Sequence, residues 1–161
     1  MRGEGRGVGM PEKAERLEIG KGRIIQQGSD IAILSLGTIL EESEKAAMRL
    51  AEEGISVTLA DARFAKPFDK ALVRELVTSH KGVLIVEEGS PGGFSAHLLQ
   101  YMANEGLLMQ GCDIKVAQIA DDYIDHDTRQ GQLQKAGIDA ASLVGYVRSM
   151  VSDKTKQTQI S

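Results

Sequence analysis

The amino-acid sequence predicts an α/β domain: a three-layer sandwich whose sheet has about five strands, mostly parallel, with one antiparallel edge strand. Three observations lead there. Short apolar runs alternate with helical patterns of about 10–15 residues, which is the signature of crossover units. Those runs are continuously apolar, as strands covered on both faces must be. The first run reaches the second through a turn alone, so it has no crossover helix and must pair antiparallel at an edge.

The elements follow in order. Residues 22–27 read as a short strand closed by the turn Gly28-Ser29-Asp30. Residues 31–36, Ile-Ala-Ile-Leu-Ser-Leu, form the first fully buried strand. Gly37-Thr38 then opens a helix running to about Glu53. Thr38 is expected to cap it, with Glu41 completing a capping box, and Gly54 to end it. Residues 55–60 are the next strand. Pro67-Phe68-Asp69 introduces a second helix, in which Asp69 caps, Phe68 staples onto Val73, and Leu72, Val73, Leu76 and Val77 make the apolar stripe. Residues 83–86 are a buried strand, and Gly92-Gly93 leads into a helix carrying Leu98, Leu99 and Met102, with Gly106 just beyond. Residues 114–119 are the last strand. Two helices, 128–136 and 139–151, follow on either side of Gly137.

Composition limits the function. The 161 residues suffice for one domain with its own core, and 42% are hydrophobic, which excludes a wholly disordered chain. Nineteen Lys and Arg against 23 Asp and Glu give a net charge of −4. A concentrated basic surface, the requirement for phosphate-backbone binding, is therefore not expected, nor is a nucleic-acid partner. No apolar run approaches the length of a membrane span, so no membrane partner is expected. A single cysteine, Cys112, makes no internal disulfide and fits a reducing, cytoplasmic setting. The folded body is expected at residues 17–151, between a glycine-rich flexible arm over residues 1–16 and a polar, disordered tail over residues 152–161.

Few motifs carry chemistry by themselves. Gly37-Thr38 stands where a buried strand meets a helix, a place suited to anions, yet neither dinucleotide nor P-loop glycine spacing is present. Residues 87–94, Glu-Glu-Gly-Ser-Pro-Gly-Gly-Phe, follow a buried strand, whose carboxyl end faces the ligand crevice of an open α/β sheet. Glu87 and Glu88 are adjacent, so they should point to opposite faces rather than form an acid/base dyad. Glu88, Gly89, Gly92 and Gly93 are the candidate interface residues. His80, His97 and His126 are mutually distant in sequence. His80 ends a helix, where a cation suits the dipole. His126 lies in the acidic run of residues 121–127, which lacks calcium-loop spacing. No Gly-x-Ser-x-Gly elbow supports a serine triad, and Cys112 has no neighbouring activator.

Taken together and in order, these pieces resemble the C-terminal domain of the 1-deoxy-D-xylulose 5-phosphate synthase family, thiamine-diphosphate enzymes of the transketolase type. The resemblance runs through Arg2-Gly-Glu-Gly, residues 17–23, residues 30–38, residues 51–58, the run Asp61-Ala-Arg-Phe-Ala-Lys-Pro-Phe-Asp69, Val86-Glu-Glu-Gly89 with Gly92-Gly93, and residues 132–139. The run 61–69 together with Glu-Glu-Gly is its most specific part. The C-terminal domains of transketolases and of pyruvate dehydrogenase β subunits share the implied fold but match these words less well.

The resemblance implies a portion of a longer homodimeric enzyme that joins pyruvate to glyceraldehyde 3-phosphate with loss of carbon dioxide. Its product feeds isoprenoid, thiamine and pyridoxal phosphate synthesis, and its cofactors are thiamine diphosphate and magnesium. The thiamine-binding Gly-Asp-Gly motif, the activating glutamate and the substrate-binding histidines belong to two earlier domains, and this sequence has no counterpart of them. It is therefore expected to bind no cofactor and to be inactive alone, supplying structural and dimer contacts to the remaining domains and the second subunit. Arg2-Gly3 matches the end of the family's Arg-Tyr-Pro-Arg-Gly segment, which implies a substrate-phosphate contact for Arg2. The other class left open by the residues is a stand-alone small-ligand or regulatory module using the crevice near Gly37, Thr38 and Gly89.

Overall fold

Alternation of side chains along the central strands sends one set of apolar residues to each face of the sheet. The computed structural model describes residue 12 and residues 16–158, the last six of these as backbone. In chain order the elements are β1 (Arg23–Gln26), β2 (Ile31–Leu36), α1 (Leu40–Glu52), β3 (Val57–Asp61), α2 (Lys70–Ser79), β4 (Gly82–Glu87), α3 (Phe94–Asn104), β5 (Asp113–Ala117), α4 (Arg129–Lys135) and α5 (Ala140–Thr158). The five strands lie in the order β1-β3-β2-β4-β5. β2 pairs parallel with β3 and with β4, β4 pairs parallel with β5, and β1 pairs antiparallel with β3 at the edge. This is the architecture expected from the sequence.

Ile31, Ile33, Val57, Leu59, Leu84 and Val86 face one helical layer, where Ala46, Ala47 and Leu50 of α1 meet Leu143, Val147 and Met150 of α5. Ala32, Leu34, Ala60, Val83 and Ile85 face the other, formed by the apolar stripe of α2 and by Phe94, Leu98 and Met102 of α3. Nearly all of these side chains are excluded from solvent, so the strands are continuously apolar because each has two helical faces to fill.

Helix starts depend on specific acceptors. Asp69 Oδ1 accepts the N–H groups of Ala71 and Leu72 at 3.1 Å, as its position predicted. Thr128 caps α4 by accepting from Gly131 N. The buried Glu42 of α1 reaches across the layer: one carboxylate oxygen accepts from Ala140 N at the start of α5 (2.9 Å), the other from Lys45 Nζ (2.7 Å). Gly54, at φ +77°, follows α1 as expected.

Two expectations need correction. Thr38 does not cap α1, and Glu41 completes no capping box. A 3₁₀ turn, Gly37–Ile39, precedes α1, and its N-terminus carries no side-chain cap. The Thr38 side chain is turned toward Glu88 and Arg129 instead: its hydroxyl donates to the Glu88 carboxylate and its oxygen accepts from Arg129 Nη2 rather than from a helix N–H, while Glu41 pairs with Lys45 one turn on. At the other end, α5 runs past Val151 to Thr158, where the sequence reading placed a polar tail. The rest of the arm drawn at residues 1–16 lies outside the described residues.

Candidate functional site

β2 feeds α1 on one face and β4 feeds α3 on the other, so the carboxyl ends of these adjacent strands flank a topological switch point. The residues gathered there come from three connections: Gly37 and Thr38 after β2, residues 87–93 after β4, and Gln118 to Arg129 after β5.

Glu87 and Glu88 take opposite sides, as strand geometry requires. The Glu87 carboxylate is buried and accepts from Phe94 N (2.9 Å) and Ser95 N (2.8 Å), which caps the start of α3. Placing this carboxylate against the positive end of a helix satisfies two orphan donors and offsets its desolvation. The glycines beside it are explained by space. A Cβ on Gly93 would stand 2.5 Å from Glu87 Oε2, and one on Gly89 would stand 2.6 Å from the same atom. Gly92 has open space around it but a φ of +98°.

Glu88 turns the other way. Its Oε2 accepts the Thr38 hydroxyl at 2.5 Å and its Oε1 accepts Arg129 Nη2 at 2.7 Å. Arg129 Nη2 also donates to Thr38 Oγ1 at 3.2 Å. The Arg129 and Glu88 side chains are only 26% and 30% exposed, so this is a partly desolvated, charge-assisted cluster joining all three connections. Ile119 N donates to Gly89 O (3.0 Å) and the Ser95 hydroxyl to Gln118 Oε1 (2.9 Å), which ties the connection after β5 to the Glu-Glu-Gly stretch again.

At the end of β3, Asp61 holds the start of the run 61–69. Its Oδ1 accepts from Arg63 N (3.0 Å) and its Oδ2 from Arg23 Nε (3.1 Å). This fixes Arg63 in the left-handed region at φ 57°, unusual for a residue with a side chain.

The structure does not bring the histidines together here. His80 lies toward the amino end of the sheet, where Nδ1 donates to the Leu76 carbonyl (3.0 Å) and Nε2 shares a hydrogen bond with Thr58 (2.7 Å). His97 is part-buried on α3, and His126 is exposed. Among the described residues, no three of His, Cys, Asp or Glu converge as metal ligands. Asp127, in the acidic run, is engaged by Lys135 at 2.9 Å, which with the Thr128 N–H holds its carboxyl below its ordinary range. Cys112 is part-buried beside the second core layer. Arg2 lies outside the described residues.

Sequence reasoning passed over Arg129. The signal was present: α4 has a cation at its first position and no acidic residue in its first turn, which opposes the helix dipole unless a remote carboxylate compensates. Glu88 is that carboxylate.

The family described as "Transketolase, C-terminal domain" matches residues 20–143. Among solved structures, a split-gene transketolase, described as an inactive β4 tetramer, is 25% identical with a TM-score of 0.77. That match covers 91% of this chain and 46% of the other. A transketolase from Campylobacter jejuni subsp. jejuni is 16% identical, TM-score 0.56, over 81% of this chain and 18% of its own. A 2-oxoglutarate:ferredoxin oxidoreductase from Magnetococcus marinus is 15% identical, TM-score 0.54, over 81% and 19%. The last two are similar in fold. The chain thus spans less than half the length of each of these three solved chains.

Proposed function

The chain belongs to the transketolase C-terminal domain family, and from that premise we propose that it serves as the C-terminal domain of a 1-deoxy-D-xylulose 5-phosphate synthase. In this reading the whole enzyme condenses pyruvate with glyceraldehyde 3-phosphate, with decarboxylation, using thiamine diphosphate and magnesium. This domain supplies the scaffold and the contacts to the preceding domains and a second subunit. It carries no catalytic step itself. The choice within the family rests on the words of the sequence, above all residues 61–69 with Glu87-Glu88-Gly89.

One observation carries the structural role. Three acidic groups at the carboxyl edge are engaged in holding the fold: Glu87 caps α3, Glu88 clamps Arg129 and Thr38, and Asp61 fixes the turn at Arg63. The donor set does not fit a magnesium diphosphate, since the described residues present no group of three metal-ligating side chains and the sequence has no Gly-Asp-Gly motif. Internal pairing at the crevice also weighs against a stand-alone ligand module. Arg2, by its match to the family's phosphate-contacting arginine, is proposed as the one substrate contact this chain contributes.

A domain exchange tests the assignment. Residues 17–151 replace the corresponding domain in a 1-deoxy-D-xylulose 5-phosphate synthase and, separately, in a transketolase. Activity with pyruvate and glyceraldehyde 3-phosphate retained in the first, and the transketolase's own ketol transfer lost in the second, is the expected result. The reverse pattern overturns the assignment to this enzyme while leaving the family membership intact.

A further inference from the structure

The connection between β5 and α4 is the longest in the described chain without a helix or strand, and it is held mainly at its ends. At one end Ile119 N donates to Gly89 O, and at the other Arg129 is bonded to Glu88 and Thr38. Between those anchors, the side-chain hydrogen bonds and ion pairs shown for residues 120–128 stay within residues 122–135: Tyr123 N to Asp122, Gln132 Nε2 to Asp125 O, and Lys135 to Asp127. Tyr123 is 87% exposed, so the largest side chain of the segment contributes little to the core. A cavity of about 270 Å³ lies between the segment and α4, lined by Tyr123, Ile124, Asp125, Lys135 and Ala136 among others. Few buried apolar contacts and mostly local polar ones place such a segment at the low end of local stability.

We propose that residues 120–128 form a strap closed over the carboxyl edge of the sheet by the Arg129 clamp, and that releasing Arg129 opens the strap together with the crevice at Gly37 and Thr38. The clamp is suited to this because one guanidinium nitrogen bridges both walls of the crevice, Thr38 after β2 and Glu88 after β4. Loss of one side chain frees the strap's distal end and removes one of the two side-chain partners of Thr38, leaving its bond to Glu88. The sheet itself does not depend on Arg129, because β2 and β4 are held by each other's backbones.

Hydrogen exchange of the full chain, followed by mass spectrometry, tests this. In Arg129→Gln, amides of residues 120–128 and 37–40 should exchange about tenfold faster, while those of β2 and β4 stay at the wild-type rate. Glu88→Gln should do the same, and the double variant should add little to either single one. Unchanged exchange in the strap, or a rise spread equally through β2 and β4, overturns the proposal. Should Arg129→Gln not fold, Glu88→Gln alone reads the strap, since it removes the charge that holds Arg129. Faster exchange confined to the same two segments supports the strap, and unchanged exchange there overturns it.

Discussion

A methyl group on Gly93 would stand 2.5 Å from Glu87 Oε2, closer than carbon and oxygen can approach without movement. Gly93→Ala should therefore displace the carboxylate from Phe94 N and Ser95 N and cost about 1–3 kcal/mol, read as a lower urea midpoint. Most of that cost should vanish in a Glu87→Ala background, where there is no carboxylate to displace. A full cost there would locate the role of Gly93 elsewhere. This local requirement was not legible in the sequence, which offered Gly93 as an interface residue, because the space taken by a glycine is set by a partner six positions away. Arg2 is the opposite case, named by resemblance alone. If it contacts substrate phosphate, Arg2→Ala in the whole enzyme should weaken use of glyceraldehyde 3-phosphate by roughly 10- to 150-fold. Use of pyruvate should barely change. Steady-state kinetics with each substrate varied in turn would show this, and a defect confined to pyruvate would remove Arg2 from the site.

Elements were legible where their signals are local. Asp69 lies directly before its helix and caps it, and the apolar run of residues 31–36 is β2 to the residue. Thr38 shows the limit: its spacing is that of a cap, but its side chain is turned toward Arg129 and toward Glu88, fifty residues on. The anchors between elements were equally hidden, because Glu42 and Ala140 N, or Glu53 and Arg148, meet only after the chain has folded. The last pair joins α1 to α5 by two bonds, Arg148 Nε and Nη2 to the Glu53 carboxylate at 2.8 and 2.7 Å. The guanidinium holds the Glu53 carboxyl below its ordinary range. A carboxyl depressed in the folded state contributes stability above its unfolded value and loses it as pH falls through the lower folded value. Glu53→Gln should accordingly lower Tm slightly at neutral pH and make its fall on acidification through the carboxylate range shallower, so that the two curves converge in acid, both effects being small because the pair is exposed and solvent-screened. A parallel downward displacement of the whole curve would instead indicate lost packing.

At the scale of the molecule, the fold class followed from pattern alone, since central strands covered on both faces read as continuous apolar runs separated by helical periods. The site did not, because its chemistry is distributed over three connections that only the topology brings together. What they assemble is a set of satisfied charges: capping, clamping and turn-fixing carboxylates rather than an acid/base pair. The proposed function makes this chain a scaffold and contact domain with no catalytic capacity of its own. Pyruvate decarboxylation by the purified chain, with thiamine diphosphate, magnesium and glyceraldehyde 3-phosphate present, tests it most directly. The account predicts no turnover above buffer from the chain alone, and turnover once a polypeptide carrying the two preceding domains is supplied. Turnover that scales with the concentration of this chain alone, and disappears when it is removed, would contradict it.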